Sequence, residues 1–432
     1  MTVERDRADK TAATGLRRSI GVGQGVALYT SAILGAGVLI LPGQAAAMAG
    51  PASILAWIFS CLLGIPLAFT FALLVGEVGD AGGVATYVRL AFGSTVGGIV
   101  GWLYFIAGAV GQTVVPLTGG YYLAHAMALP GVWAYIFGAA ILLVAYAANM
   151  QGMKLSGRVQ IVLAAAVAVI LLAAIFLAIP AIRWSAFTPF APHGIEGVGS
   201  AAVLLFFAFA GWEAIAHLAE EFHDAKRGVW LSTVITIGVV SVLYIGASIS
   251  VIGTRTYGDA QTNRLSIGLI VHDRLGFSAA VATAVVALII CLGTTNAFIA
   301  GISRLGYALA REGWLPRPIA RLGRNDQPRM AITAVTAVGG AGIFVGYLFG
   351  YGAETIVIIP STLCVYVYLV AMAAAIAILP RRAKWLPIVG LVLTAVAVPF
   401  TIVHAWIPVT VAVVALVVRR LSRRPETLTA GT

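Results

Sequence analysis

The sequence predicts an all-α polytopic membrane protein with about twelve transmembrane helices. Three observations carry this prediction. Hydrophobic residues make up 60% of the 432 positions and charged residues only 10%, with a mean hydropathy of +0.99. A soluble chain carries about 25% charged residues; this one has too few to cover a water-facing surface. The apolar residues fall in runs of the roughly 20 that a spanning helix needs. The basic residues, finally, segregate to alternate connections between those runs.

In chain order the expected spans lie near 21–48, 52–76, 95–126, 130–149, 158–180, 197–219, 230–253, 277–303, 330–350, 352–379, 385–402 and 404–419. His404 is the polar divider of the last pair. They form one transmembrane domain, 20–421, between short tails at 1–19 and 422–432. Arg17 and Arg18 before the first run resemble a signal-peptide n-region, but that run is too long for an h-region and no cleavage site closes it, so it reads as a retained span. With the N-terminus placed in the cytoplasm, all but four of the 27 Lys and Arg residues fall inside; Arg183, Arg255, Arg264 and Arg274 fall outside. This is the positive-inside pattern, and it sets both termini in the cytoplasm of a cell-membrane protein. The +11 net charge is then a matter of topology. Nucleic-acid binding, which needs a basic soluble domain, is excluded.

Cofactor and metal chemistry find no support. Cys61, Cys291 and Cys364 sit singly in apolar runs, and the six histidines show no ligand spacing. Each cysteine reads as a small buried hydrophobe. No GxxxxGK[ST] loop occurs, so the chain does not hydrolyse ATP itself.

Two expected spans contain helix breakers. The first reads TSAILGAGVLILPG over 30–43, with Gly35-Ala36-Gly37 at mid-membrane. The sixth reads LLFFAFAGWEAIAHLAEEF over 204–222, with Gly211 and Glu213 at the same depth. Each heads a set of five spans, about 20–180 and 197–379, and two further helices follow at about 385–420. Interrupted segments in matched positions point to a five-plus-five inverted repeat with helices 1 and 6 discontinuous. Unwound backbone is tolerated at membrane depth only where it is buried in protein or lines a cavity. The freed amides suit a carboxylate, and the freed carbonyls suit an ammonium group. Close helix packing on small residues is the competing explanation for a single glycine pair; two matched breaks favour a binding site.

These stretches resemble the amino acid–polyamine–organocation superfamily of permeases. GAGVLILPG (35–43) is similar to its Gly-Ser-Gly break, with Ala36 in place of the serine, and FAFAGWE (207–213) to its Phe-x-x-x-Gly-x-Glu break. AGGVATYVRLAFG (81–93) and SRLGYALAREGWLP (303–316) resemble the segments after its second helix and closing its eighth. Within the superfamily, 21–38 and 210–222 resemble most the bacterial exporters of methionine and branched-chain amino acids. Two departures stand out. Asp224-Ala225 replaces the frequent Asn-Pro, and no lysine lies between Val159 and Pro180, which removes the lysine that some proton-coupled members use. The resemblance implies the LeuT-like twelve-helix fold. It further implies that a substrate amine meets carbonyls near Ile33, Phe207 and Ala210, that its carboxylate meets the amides of Ala36 and Gly37, and that Gly35 and Gly211 permit the breaks.

Charged groups inside a membrane default to a functional reading. Glu213 is the one acid deep in an expected span, and His217 follows one helical turn later. Glu213 could exchange a proton in each cycle or tie the break together permanently; His217 could join it or pack as a hydrogen-bonded histidine. Gln112, Thr294 and Thr295 are candidate polar groups of a cavity, against ordinary hydrogen bonding within and between helices. A sodium site at the threonines is disfavoured by the resemblance. With one acid and no Lys or Arg in the expected cavity, a neutral amino acid fits best, and Ile33, Phe206, Phe207, Phe209 and Trp212 favour an apolar side chain. The expectation is a secondary active transporter of neutral apolar amino acids that works by alternating access. The resemblance makes it an exporter, with proton antiport as its candidate coupling. An importer or exchanger of the same fold is the alternative, and a channel or a membrane-embedded enzyme stands further off.

Overall fold

The computed structural model describes residues 21–78, 83–152, 157–214, 225–323 and 327–422. Among these residues the regular structure is entirely helical. Among the described residues nine helices are long and apolar enough to cross a membrane. Their outer surface carries exposed Leu143, Val162, Val242 and Phe344; such continuous apolar exposure would be insoluble in water and is natural in lipid.

The first expected span is broken in two. Helix α1 (Val22–Ile33) stops, a 3-10 turn covers Ala36–Leu39, and α2 (Leu41–Ala49) completes the crossing. Neither half is long enough to cross alone. Helix α3 (Ser53–Val78) returns. Helix α4 (Gly83–Ala126) is longer than the expected 95–126, because an additional segment joins it at a kink where Gly93 takes φ 83°. Helices α5 (Val132–Met150) and α6 (Gly157–Ala178) follow the expected bounds closely. The sixth span again stops midway: α7 (Gly194–Phe209) ends at Ala210, and a short 3-10 turn spans Trp212–Ala214. Then come α8 (Ala225–Gly253), α9 (Ala260–Leu275), α10 (Phe277–Arg311) and α11 (Arg329–Phe349). A single turn at Ala353–Ile356 leads into α12 (Ile358–Ile378). Helix α13 (Trp385–Ala397) runs into a 3-10 stretch, Val398–His404, and α14 (Trp406–Ser422) ends the described chain.

Helix α9 replaces what reads in sequence as a plain outside loop over 254–277. Asp259 starts it, accepting hydrogen bonds from the amides of Gln261 and Thr262, each at 3.0 Å. That is an ordinary N-cap, worth about 1 kcal/mol. The same hydrogen bonds hold the Asp259 carboxyl below the usual carboxylate range, with the Thr262 hydroxyl the leading cause. Helix α9 lies on α2 so closely that a Cβ at Gly43 would stand 2.9 Å from the Asn263 Cα. Arg264 of α9 pairs with Glu354, its Nε 2.9 Å from Oε2, and stacks 4.7 Å above the Tyr121 ring. The helix therefore covers the break in α1 and α2 from the face opposite that on which α1 begins.

Lipid tails are as apolar as leucine, so the helices associate by close packing rather than by escape from water. Small residues permit it. Gly120 brings α4 against the Ala134 backbone of α5, and Gly108 receives Ile302 of α10. Cys61, Cys291 and Cys364 are buried and free, as the sequence suggests. Gly98 receives the ring of Trp314, which is 1% exposed and whose carbonyl accepts a hydrogen bond from Trp102 Nε1 at 2.8 Å. Gly98→Val should therefore displace that ring and lower stability by about 1–3 kcal/mol, the usual effect of overpacking. Thermal unfolding in detergent checks this against Gly301→Ala, where nothing stands within 4 Å. Equal melting of the two variants would refute the contact.

Candidate substrate site

The break in α1 is built from extended backbone. Leu34 leaves the helix at φ −73°, ψ 65°, and Gly35 is extended at φ −78°, ψ −178°. The Leu34 amide still reaches Thr30 O at 2.7 Å, and the Gly35 amide turns back to Ile33 O at 2.8 Å. The next two amides, of Ala36 and Gly37, find no acceptor among the described residues, although both residues are buried. A buried N–H without a partner costs about 1–3 kcal/mol. Two in succession at the start of a helical turn form a positive end that suits an anion.

The break in α7 faces it. Ala210 turns outward at φ −70°, ψ 120°, and Gly211 takes φ 137°. A Cβ on Gly211 would stand 2.8 Å from the carbonyl oxygen of Ala32, so glycine is needed both for the dihedral and for the approach of the two broken helices. The carbonyls of Phe207 and Ala210 receive no hydrogen bond among the described residues, since the Gly211 amide points instead to Glu213 Oε2 at 3.2 Å and to the Tyr368 hydroxyl at 3.3 Å.

Four tyrosines tie the breaks together. The Tyr29 hydroxyl donates to Trp212 O at 2.8 Å. The Tyr244 hydroxyl lies 3.0 Å from Ile33 O and 3.3 Å from Ala208 O, bridging the two broken helices. The hydroxyls of Tyr104 and Tyr368 both donate to the Glu213 carboxylate, the latter at 2.8 Å. Glu213 is 5% exposed and so holds three donors on one buried carboxyl group. None of these tyrosines is singled out by the sequence reading. The available signal was chemical: a phenol buried in an apolar span needs a hydrogen-bond partner.

A cavity of about 20 Å3 lies between the breaks. Ile33, Gly35, Ala36, Gly37, Phe207, Ala210 and Thr294 line it, together with Val115, Tyr244 and Phe298. The Phe207 ring borders the space, 3.5 Å from a Cβ position on Gly37 and 3.3 Å from one on Gly111. Gly211 does not line the cavity itself; it supports the turn behind it. Glu213 stands outside the cavity, held by its tyrosines. Gln112 also lies outside it, its Nε2 3.4 Å from Gly108 O and its Cβ 2.7 Å from a Cβ position on Gly339 of α11. Thr295 is fully buried, its hydroxyl unpaired among the described residues, and does not line the cavity either. Phe206, Phe209 and Trp212 pack elsewhere: Phe209 on Trp57 and Tyr244, Trp212 on Tyr29. His217 lies outside the described residues. Among the described residues no Lys, Arg, Asp or Glu lines the cavity.

The arrangement joins two unpaired amides to two unpaired carbonyls across a small apolar space. A family model described as amino acid permease matches residues 20–421. The chain belongs to the amino acid permease family, within the amino acid–polyamine–organocation superfamily. It is similar to an uncharacterized amino acid permease, YecA of Bacillus subtilis, at 35% identity over 89% of this chain and 92% of that one. It is also similar to the L-methionine/branched-chain amino acid exporter YjeH of Escherichia coli, at 28% identity over 87% and 90%. The branched-chain amino acid permease BcaP of Lactococcus lactis is 24% identical over 79% and 78%. This permease is thus a multi-pass membrane protein of a transporter family and not an enzyme.

Proposed function

We propose that the permease is a secondary active transporter of neutral apolar amino acids of the methionine, leucine, isoleucine and valine class. It works by alternating access and exports its substrate in exchange for protons. The observation that carries the substrate class is the pair of breaks. The unpaired amides of Ala36 and Gly37 would bind the α-carboxylate, and the carbonyls of Phe207 and Ala210 the α-ammonium group; the Ile33 carbonyl, expected to join them, already accepts from the Gly35 amide and the Tyr244 hydroxyl. A zwitterion satisfies both sets with no fixed ion. A dianion or a polyamine would leave charge uncompensated in a cavity that, among the described residues, no Lys, Arg, Asp or Glu lines. The apolar walls at Ile33, Val115, Phe207 and Phe298 suit an aliphatic or thioether side chain.

The likeness to an exporter supports the direction, and the buried Glu213 with its tyrosine cage supports proton exchange. Twelve spans arranged as five, five and two, with both termini in the cytoplasm of the cell membrane, complete the reading; the matched breaks and the distribution of basic residues support it. Helix α9 would close the outer side.

Labelled methionine, leucine and arginine in proteoliposomes, with and without a pH gradient, test this. Saturable methionine or leucine flux driven by the gradient, with no arginine flux, is the expected result. Arginine flux alone would overturn the substrate class. Flux proportional to concentration without limit would make the protein a channel. Uptake toward the side on which α1 begins would make it an importer.

A further inference from the structure

A second, larger cavity lies beside the central one, in the angle between α1, α6 and α10. It measures about 140 Å3 and shares Ala32, Gly35, Thr294 and Phe298 with the central cavity. Gln160, on its lining, lies three residues into α6, about 5 Å along the axis, whereas Val167 lies about 15 Å along. The space therefore runs from near the membrane face where α1 and α6 begin to the break at Gly35.

Size separates the two cavities. A water needs about 10–15 Å3 of such space, so the central cavity in this conformation holds one or two waters, and an amino acid would be seated there only once the Phe207 ring moves aside. The second is close to the volume, about 150 Å3, at which an aliphatic-walled cavity takes in benzene. Its walls at Leu34, Leu163, Val167 and Ile290 are apolar, and among the described residues no ionisable side chain lines it. Three polar side chains do: Ser31 and Gln160 toward the mouth and Thr294 beside the break. All three are partly exposed, and no hydrogen bond of theirs falls among the described residues, so each is open to water or to a ligand. They stand around an apolar hollow of side-chain size.

We propose that this cavity is a loading subsite, which takes the apolar side chain of a neutral amino acid on the α1 side before its charged groups reach the break. The inference rests on the substrate class proposed above. It differs from a mere passage because the side chain is bound there and therefore selected there. An alanine side chain is too small to use the hollow, whereas leucine fills it.

Two variants of opposite sign test it, in proteoliposomes oriented so that substrate is supplied on the α1 side. Ala297 lines the cavity and is exposed. Ala297→Phe fills the hollow and should raise the leucine KM about tenfold or more, the effect of losing a side-chain pocket, and leave the alanine KM within about twofold. Leu163 sits on Gly293 and forms a wall. Leu163→Ala enlarges the hollow and should lower the phenylalanine KM by about tenfold. An unchanged leucine KM in Ala297→Phe, or equal rises for leucine and alanine, overturns the subsite, the second outcome leaving a passage only. If Ala297→Phe yields no monodisperse protein, Leu163→Ala decides alone: a phenylalanine KM that does not fall overturns the proposal. Saturable leucine flux by the unaltered protein, with both variants unmoved, removes only the subsite. Absence of any neutral amino-acid flux in the unaltered protein removes the substrate class with it.

Discussion

Gly211→Ala is expected to reduce amino-acid flux at least about tenfold without preventing the protein from inserting. Two costs meet at this residue. Its φ of 137° is strained for any residue with a Cβ, at about 1–3 kcal/mol. The new Cβ would also press on the Ala32 carbonyl oxygen 2.8 Å away, and that contact is backbone, with no side chain to swing aside. Relief requires α7 to draw away from α1, which separates the Ala210 carbonyl from the amides of Ala36 and Gly37. About 1.4 kcal/mol of lost site geometry is already a factor of ten in rate. Gly238→Ala is the control: it is helical, nothing stands within 4 Å, and removing a helical glycine is favourable by about 0.5–1 kcal/mol. Flux from Gly211→Ala equal to that of the control would show that the two breaks act independently.

The second large effect concerns Glu213, and two substitutions divide its roles. Glu213→Ala leaves the hydroxyls of Tyr104 and Tyr368 and the Gly211 amide without their shared acceptor. Each buried group left unpaired costs about 1–3 kcal/mol, so this variant should unfold at clearly lower temperature and transport nothing. Glu213→Gln keeps the shape and one acceptor oxygen but has no proton to exchange. It should fold, exchange substrate at equilibrium, and lose its response to an imposed pH gradient. A gradient response equal to that of the unaltered protein would end the proton role. The carboxylate would then be a structural tie, for which its three donors already supply a reason.

Much of this molecule is legible in its sequence because the membrane makes the signal local. Apolar runs and the placement of Lys and Arg are read off without knowing any contact, since each span must satisfy its own backbone in lipid. The breaks are legible as local sequence too: Gly35-Gly37 and Gly211 put glycines at matched mid-span positions of the first and sixth expected spans. The short helix α9 was not, because its mixed sequence reads as a loop until Asp259 is seen to cap it and α2 to support it.

The site divides along the same line. Sequence by itself pointed to the first break, because glycine propensity acts within a few positions, and Gly35, Ala36 and Gly37 border the cavity; Phe207 and Ala210, named from the family resemblance, border it as well. It also determined that a single acid, Glu213, stands near the second break. Only the tertiary structure decided which groups face each other. Tyr244 reaches Ile33 O across 211 positions, and Tyr368 reaches Glu213 across 155. Gln112 and Thr295 turn away from the cavity while Thr294 turns toward it. Helix periodicity fixes the angle between neighbouring residues but not the rotation of a helix in its bundle. In a chain apolar on every side that rotation is set by packing, where Gly108 receives Ile302 and Gly98 receives Trp314.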